Sequence, residues 1–380
     1  MPVLQHLADA LRLAFTMFWD VLWPLGLGFL LSAVVQTFVS RTAITRLLGT
    51  DSRAAVARAA AFGAASSSCS YAAVALARSL FRKGATLSNA IIFEFASTNL
   101  VFELGLALVV LLGWQFFTAE IGGGVVMVVL LAVIFRATLR PRLVDEARRT
   151  ASMGRAGRME GHAAMDMSIS GGPLFRRVLS GRAYTAVAHC FVMDVYSVWT
   201  DLLIGFLLAG ALGAWVPDGA WSALFLSGHG AAAFVWGALI GPLIAMLSFV
   251  CSVGNVPLAA VLWRGGISFG GVVAFIFGDL IILPILDIYR RYYGRRVAVY
   301  LLGVSYATMV LAGLAVGALF QAVGAAPSNR TVSVFNDSIG LNVTTVLDAV
   351  ALALAAVLGL RFLRTGGPQM LRMMDASAEP

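Results

Sequence analysis

Charge is scarce in this chain: only 12% of its 380 residues are Asp, Glu, Lys or Arg. A soluble domain carries about 25%. With 60% hydrophobic residues and a mean hydropathy of +0.88, that deficit excludes an ordinary soluble globular protein. Cysteine is scarce too. Cys69, Cys190 and Cys251 are odd in number and lie in or beside apolar segments, which argues against a disulfide framework. No GxxxxGK[ST] motif occurs, so this chain is not expected to hydrolyse ATP. There is no HExxH motif, and no GxSxG with a paired His. His189 with Asp194 is the weak remaining hint of intramembrane enzymology, so the expectation is a non-enzyme without a cofactor. Met1 to Ala10 holds Asp9 but no basic cluster ahead of a short apolar core, so no cleavable signal peptide is expected. The net charge of +8 would suggest nucleic acid in a soluble protein. Here the Arg residues gather in loops between apolar runs, so the charge reads as membrane topology. The lipid bilayer, not nucleic acid, is the expected partner.

What the chain does have is apolar length. Seven segments are long enough to cross a bilayer: 13–38, 85–113, 119–139, 190–213, 267–288, 297–321 and 343–361. Two further apolar stretches are interrupted. Residues 54–81 are broken by Ser66-Ser67-Ser68, and residues 228–264 by Cys251-Ser252-Val253-Gly254-Asn255-Val256-Pro257. Each reads as a hairpin of two half-helices with its tip inside the membrane, where protein or water must satisfy the irregular backbone. Kinked ordinary helices are the alternative.

An internal repeat organises these pieces. At an offset of 182, ten of the 27 residues from Cys69 to Phe95 are identical to those from Cys251 to Phe277. Cys69-Ser70 falls on Cys251-Ser252, Arg82 on Arg264, and Gly84 on Gly266. A two-fold repeat in a chain this apolar is the pattern of a membrane transporter.

Basic residues set the orientation. Residues 140–182 hold nine Arg against four acids, and Arg290, Arg291, Arg295 and Arg296 form a second cluster. Both should be cytoplasmic, as should the C-terminus with Arg361, Arg364 and Arg372. Arg41, Arg46, Arg53 and Arg58 place the start of the first hairpin inside as well. The two halves then run in opposite senses. The expected fold is an all-α polytopic membrane protein with two inverted structural repeats, each carrying a broken or re-entrant helical hairpin. It would have about eight membrane-crossing segments, within a range of seven to ten. The expected organisation is a first membrane repeat at 10–139, a basic cytoplasmic linker at 140–182 and a second repeat at 183–321. An extracytoplasmic loop at 322–342, a final transmembrane helix at 343–362 and a cytoplasmic tail at 363–380 complete it. The linker, rich in Arg, Gly and Met, reads as a flexible tether. Met153, Met159, His162, Met165 and Met167 give it a weak metal-sensing or docking alternative.

Charge inside a bilayer is costly, so every ionisable residue in a span is a functional candidate. Span 85–113 carries Glu94, Ser97, Thr98, Asn99 and Glu103, read as one inward polar stripe. Span 267–288 carries Asp279 and Asp287, with Pro284 between them to loosen the helix. Asp279 falls on Ser97 under the repeat. Span 190–213 adds Asp194 and Asp201, which share a face. A carboxylate in a low-dielectric cavity can exchange protons near neutral pH, so Glu94, Asp279 and Asp194 are the candidates for proton coupling. Asp287 reads as a boundary ion pair with the Arg290 cluster, His229 as a loop residue, and Asp348 as weakly informative. Cys69 and Cys251 hold equivalent places at the two tips. There they could exchange a soft metalloid between thiols, or simply suit tight helix packing.

Several of these motifs together resemble a known family. They are Ser67-Ser68-Cys69-Ser70, Phe81 to Gly84, Phe95-Ala96-Ser97-Thr98-Asn99, Cys251 to Ala259, Gly265 to Gly271, Asp279-Leu280-Ile281 and Tyr289 to Gly294. The chain resembles the predicted permease family that includes the organoarsenical-efflux (ArsP-like) transporters. The resemblance implies a multi-pass permease of the bacterial inner membrane that exports a small metalloid or other small solute. A passive channel is the alternative. The family's first motif commonly reads Cys-Ser-Cys. Ser67 stands in place of its first Cys, so only Cys69 carries over and Cys251 is its obvious partner. The expected substrate-binding residues are Cys69, Ser70, Thr98, Asn99, Cys251, Ser252 and Asn255, with no metal site. A homo-oligomer is compatible with this reading.

Overall fold

A computed structural model describes residues 2–38, 48–66, 70–153, 180–248, 252–327, 329–330 and 343–376, and no strand occurs among them. In chain order the helices are α1 (Pro2–Phe38), α2 (Arg53–Ser66), α3 (Ser70–Arg82), α4 (Leu87–Asn99), α5 (Phe102–Leu111), α6 (Trp114–Thr138) and α7 (Pro141–Met153). Then come α8 (Gly181–Trp215), α9 (Asp218–Leu224), α10 (Ala231–Ser248), α11 (Asn255–Gly265) and α12 (Phe269–Ile276). A 3-10 turn (Phe277–Ile281), α13 (Leu283–Tyr293), α14 (Arg295–Ala322), α15 (Val343–Arg364) and α16 (Gly367–Ala376) complete the chain. Among the described residues six helical spans are long and apolar enough to cross a membrane, α4 and α5 together (Leu87–Leu111) being one of them, or up to seven if the bent pair 269–293 counts as one span. The protein is an all-helical, multi-pass membrane protein.

The repeat recurs in the element boundaries. Shifted by 182 positions, α2 through α6 fall on α10, α11, α12 with its 3-10 turn, α13 and α14, each within a few residues. Local chemistry explains several of the identities. Thr86 caps α4 by accepting from the Asn89 amide at 3.2 Å, and Ser268 caps α12 by accepting from Gly271 at the same distance. Gly84 and Gly266 turn the chain at φ of 110° and 107°, a left-handed conformation that strains any residue with a Cβ. Arg82 and Arg264 each lie in the last helical turn before that glycine, where a cation faces the negative end of the helix.

Four features differ from the sequence reading. Span 85–113 is not continuous: α4 ends at Asn99, and Leu100 and Val101 are non-helical before α5. No Pro or Gly marks this break. Instead Ser97, Thr98 and Asn99 turn their side chains back on the helix. Ser97 donates to the Glu94 carbonyl at 2.8 Å, and Thr98 and Asn99 donate to that of Phe95 at 3.3 and 3.2 Å. Such local bonds offer the backbone an alternative to the helical ladder. The single polar stripe is therefore divided. Glu103 points at α1, where an added Cβ on Gly28 would lie 2.6 Å from the Glu103 Cα. Even an unbroken helix at 100° per residue would place Glu103 opposite Glu94.

The counterpart break in the second repeat bends the chain by 44°. It falls at the 3-10 turn, just before Pro284, which sits in the first turn of α13 where its missing N–H costs nothing. The third difference concerns the second interrupted stretch, whose first limb, α10, is long and apolar enough to cross by itself. The fourth is in the linker. Its first third folds as α7, with Pro141 at its start and Ala147 and Ala151 buried one turn apart. The remainder, including Met159, His162, Met165 and Met167, lies outside the described residues.

Polar contacts act both between helices and within one. The Trp23 amide of α1 donates to Asp348 of α15 at 2.9 Å, so Asp348 is a buried docking group. Asp287 pairs with Arg290 at 2.7 Å and with Arg291 at 2.6 Å, the boundary ion pair read from sequence. Helix α1 also packs closely on α5. Gly28→Ala would force the α1 and α5 backbones apart and is expected to cost about 1–3 kcal/mol. Thermal unfolding in detergent measures this, and an unchanged midpoint would show that the two helices part freely.

Candidate transport site

The interior where the two repeats meet is where charge collects. Ser70 opens α3 and is fully buried, and its hydroxyl donates to Asp279 Oδ2 at 2.7 Å. This bond joins residues 209 positions apart, one from each repeat. Asp279 reaches this point because the 3-10 turn interrupts its helix. Thr98, from the last turn of α4, faces the same carboxylate. One turn earlier on α4 lies Glu94, whose Oε1 accepts from the Tyr289 hydroxyl of α13. A third carboxylate, Glu120 of α6, lies close enough to Asp279 to interact with its charge, as does Glu94.

All three acids are fully buried. Glu94 Oε2, Asp279 Oδ1 and both oxygens of Glu120 have no hydrogen-bond partner. Among the described residues, the ion pairs engage Asp287 and none reaches these acids. Uncompensated charge in an apolar interior is costly. Among the described residues, no group of three His, Cys, Asp or Glu is arranged to hold a metal ion.

The other expected residues are placed as follows. Asn99 donates to Thr98 Oγ1 at 3.1 Å, and its Oδ1 lacks a partner. Ser252 and Asn255 are buried beside the second tip. Asn255 Oδ1 accepts from Ser248 at 3.1 Å, and its Nδ2 lacks a partner. Asp194, half-buried on α8, is not among the charged groups that face Glu94, Glu120 or Asp279. Cys69 and Cys251 lie outside the described residues, as does the side chain of Asp201. His189 is engaged elsewhere: its ring nitrogens contact Thr365 Oγ1 at 2.7 Å and Met370 Sδ at 3.0 Å, which ties α8 to the C-terminal helices.

Two members of the cluster escape sequence reasoning. Glu120 sits near the start of a span, where an acid reads as a boundary residue. The signal that would have found it is the buried stripe Phe116, Ala119, Glu120, Gly123, Gly124 and Met127, whose three- and four-residue spacing marks an inward helix face. Tyr289 carries no charge, and its partner is 195 positions away.

The profile of the family described as "Predicted permease" (ArsP type) matches residues 6–318, most of the chain. The chain belongs to this permease family. It is also similar to a Mycobacterium tuberculosis protein named "Putative permease Rv2963", with 54% identity over 342 residues, 90% of this chain and 84% of that one. No solved structure matches. Membership of a permease family supports a membrane transporter and points away from an enzyme.

Proposed function

We propose that this permease is a secondary transporter that exports a small solute across the bacterial inner membrane in exchange for protons. The observation that carries this reading is the group of cation-free, fully buried carboxylates contributed by both repeats, Glu94 and Glu120 from one and Asp279 from the other. Proton binding would remove charge from the interior, and release would restore it. The Ser70–Asp279 hydrogen bond spans the repeats, so rocking one repeat against the other would break and remake it. That supports alternating access about this point. Thr98, Asn99, Ser252 and Asn255 supply polar groups for the solute, with Cys69 and Cys251 as a thiol pair for a soft metalloid such as a trivalent organoarsenical.

Everted membrane vesicles provide the test. Solute uptake into them should require a proton gradient and should collapse when an ionophore dissipates it. Uptake that persists without the gradient would indicate a passive pore. The substrate class is tested separately, in cells carrying Cys69→Ser plus Cys251→Ser. Resistance to trivalent organoarsenicals should fall at least about tenfold, a loss of roughly 1.4 kcal/mol, while the protein level is unchanged. Wild-type resistance in the double variant would remove thiols from the mechanism.

A further inference from the structure

Along α6, Val125, Val129 and Val133 recur at every fourth position, and each is more than half exposed. Residues spaced by four share one helix face. At a rise of about 1.5 Å per residue the stripe is about 12 Å long. The same helix ends on Arg136, in its last turn. The stripe and Arg136 form one wall of an open cavity of about 1230 Å³ bounded by α2, α4 and α7. Arg53 at the start of α2 and Arg148 on α7 also line it. Asp51 and Asp145 line it too, which leaves Arg in excess.

The arginines are poised rather than spent. All three are exposed, and among the described residues their one hydrogen-bonding, ionic or ring contact is that of the Arg148 guanidinium, 5.6 Å from the Phe81 ring. Neither carboxylate in the cavity closes an ion pair with them. The cavity therefore offers hydrocarbon-compatible surface along its length together with guanidinium groups suited to phosphate oxygens. A soluble anion would leave the valine stripe uncovered, and a zwitterionic lipid would bring a cation to the arginines.

We propose that this cavity is a binding site for an anionic phospholipid, with one acyl chain along Val125, Val129 and Val133 and the phosphate at Arg53, Arg136 and Arg148. Basic pockets between membrane helices hold acidic headgroups in this way. The proposal is independent of what the permease transports.

The full chain, purified in neutral detergent, tests it by native mass spectrometry and thermal unfolding with added phosphatidylglycerol, phosphatidylcholine of matched chains, or glycerol 3-phosphate alone. Phosphatidylglycerol should be retained about tenfold more than phosphatidylcholine and should raise the unfolding midpoint, while glycerol 3-phosphate should not. In the triple variant Arg53→Gln, Arg136→Gln, Arg148→Gln the preference should vanish and retention should fall to the phosphatidylcholine level. Val129→Trp, which fills the stripe and leaves the arginines, should also lose phosphatidylglycerol retention, and it decides the matter if the triple variant does not fold. Retained preference in either variant overturns the proposal. So does an equal shift from glycerol 3-phosphate, since the cavity would then be taking a free phosphate and not a lipid.

Discussion

Glu94→Gln is expected to uncouple transport from the proton gradient, with gradient-driven flux falling by tenfold or more, about 1.4 kcal/mol or greater. The substitution is nearly isosteric. Its amide oxygen can still accept from the Tyr289 hydroxyl that Glu94 Oε1 now engages. What it cannot do is gain and lose a proton. The fold should survive, because the exchange keeps the shape of the side chain and removes a buried carboxylate that no cation compensates. Tyr289→Phe makes the opposite cut. It keeps the carboxylate but leaves both of its oxygens without a donor, an arrangement that costs about 1–3 kcal/mol in a buried site. The two variants should therefore separate. Glu94→Gln should lose flux at unchanged stability, and Tyr289→Phe should lose stability first. Reconstituted proteoliposomes with an imposed pH gradient measure the flux, and thermal unfolding of the same preparations measures the stability. If Glu94→Gln responds to dissipation of the gradient as the wild type does, Glu94 carries no transported proton.

The sequence foreshadowed this site unevenly, for physical reasons. Glu94 and Asp279 stand out because a carboxylate deep in an apolar run is too costly to be incidental. The repeat puts them at similar depth, since an offset of 182 places Asp279 on Ser97 of Glu94's own helix. The helix break that lets these side chains converge was half legible. In the second repeat Pro284 announces it. In the first, hydroxyl and amide side chains bond back to the Glu94 and Phe95 carbonyls just before the break, and no Pro or Gly signals it. Gly84 and Gly266 were visible as identities, but their role as left-handed turns depends on a dihedral angle, not on a pattern. In the sequence Ser70 stands out only as the neighbour of a repeated cysteine. Its bond to Asp279 depends on packing between helices 209 positions apart. The two halves share a scaffold and differ in chemistry: Glu94, Thr98 and Asn99 meet Ile276, Leu280 and Ile281 under the repeat.

Glu120 offers the sharpest discrimination between structure and function. It is fully buried, and neither carboxylate oxygen has a hydrogen-bond partner. A residue retained for stability would not be left in that state. Glu120→Leu replaces the carboxylate with an apolar group of similar size, in a helix face already lined by Phe116, Ala119 and Met127. The exchange should stabilise the fold by about 1–3 kcal/mol, the penalty a buried polar group carries when it has no hydrogen-bond partner. If Glu120 shares the proton site with Asp279, the same substitution should lower gradient-driven flux at least about tenfold. Gain of stability with loss of activity is the expected signature of a polar group kept at a functional site against the interest of the fold. A double variant with Glu94→Gln should lose little more than either single change, because groups that act as a unit are not additive. Two results would place Glu120 outside the site: Glu120→Leu protein that melts earlier than wild type, or flux losses in the double variant that multiply. The proton pathway would then rest on Glu94 and Asp279, one carboxylate from each repeat.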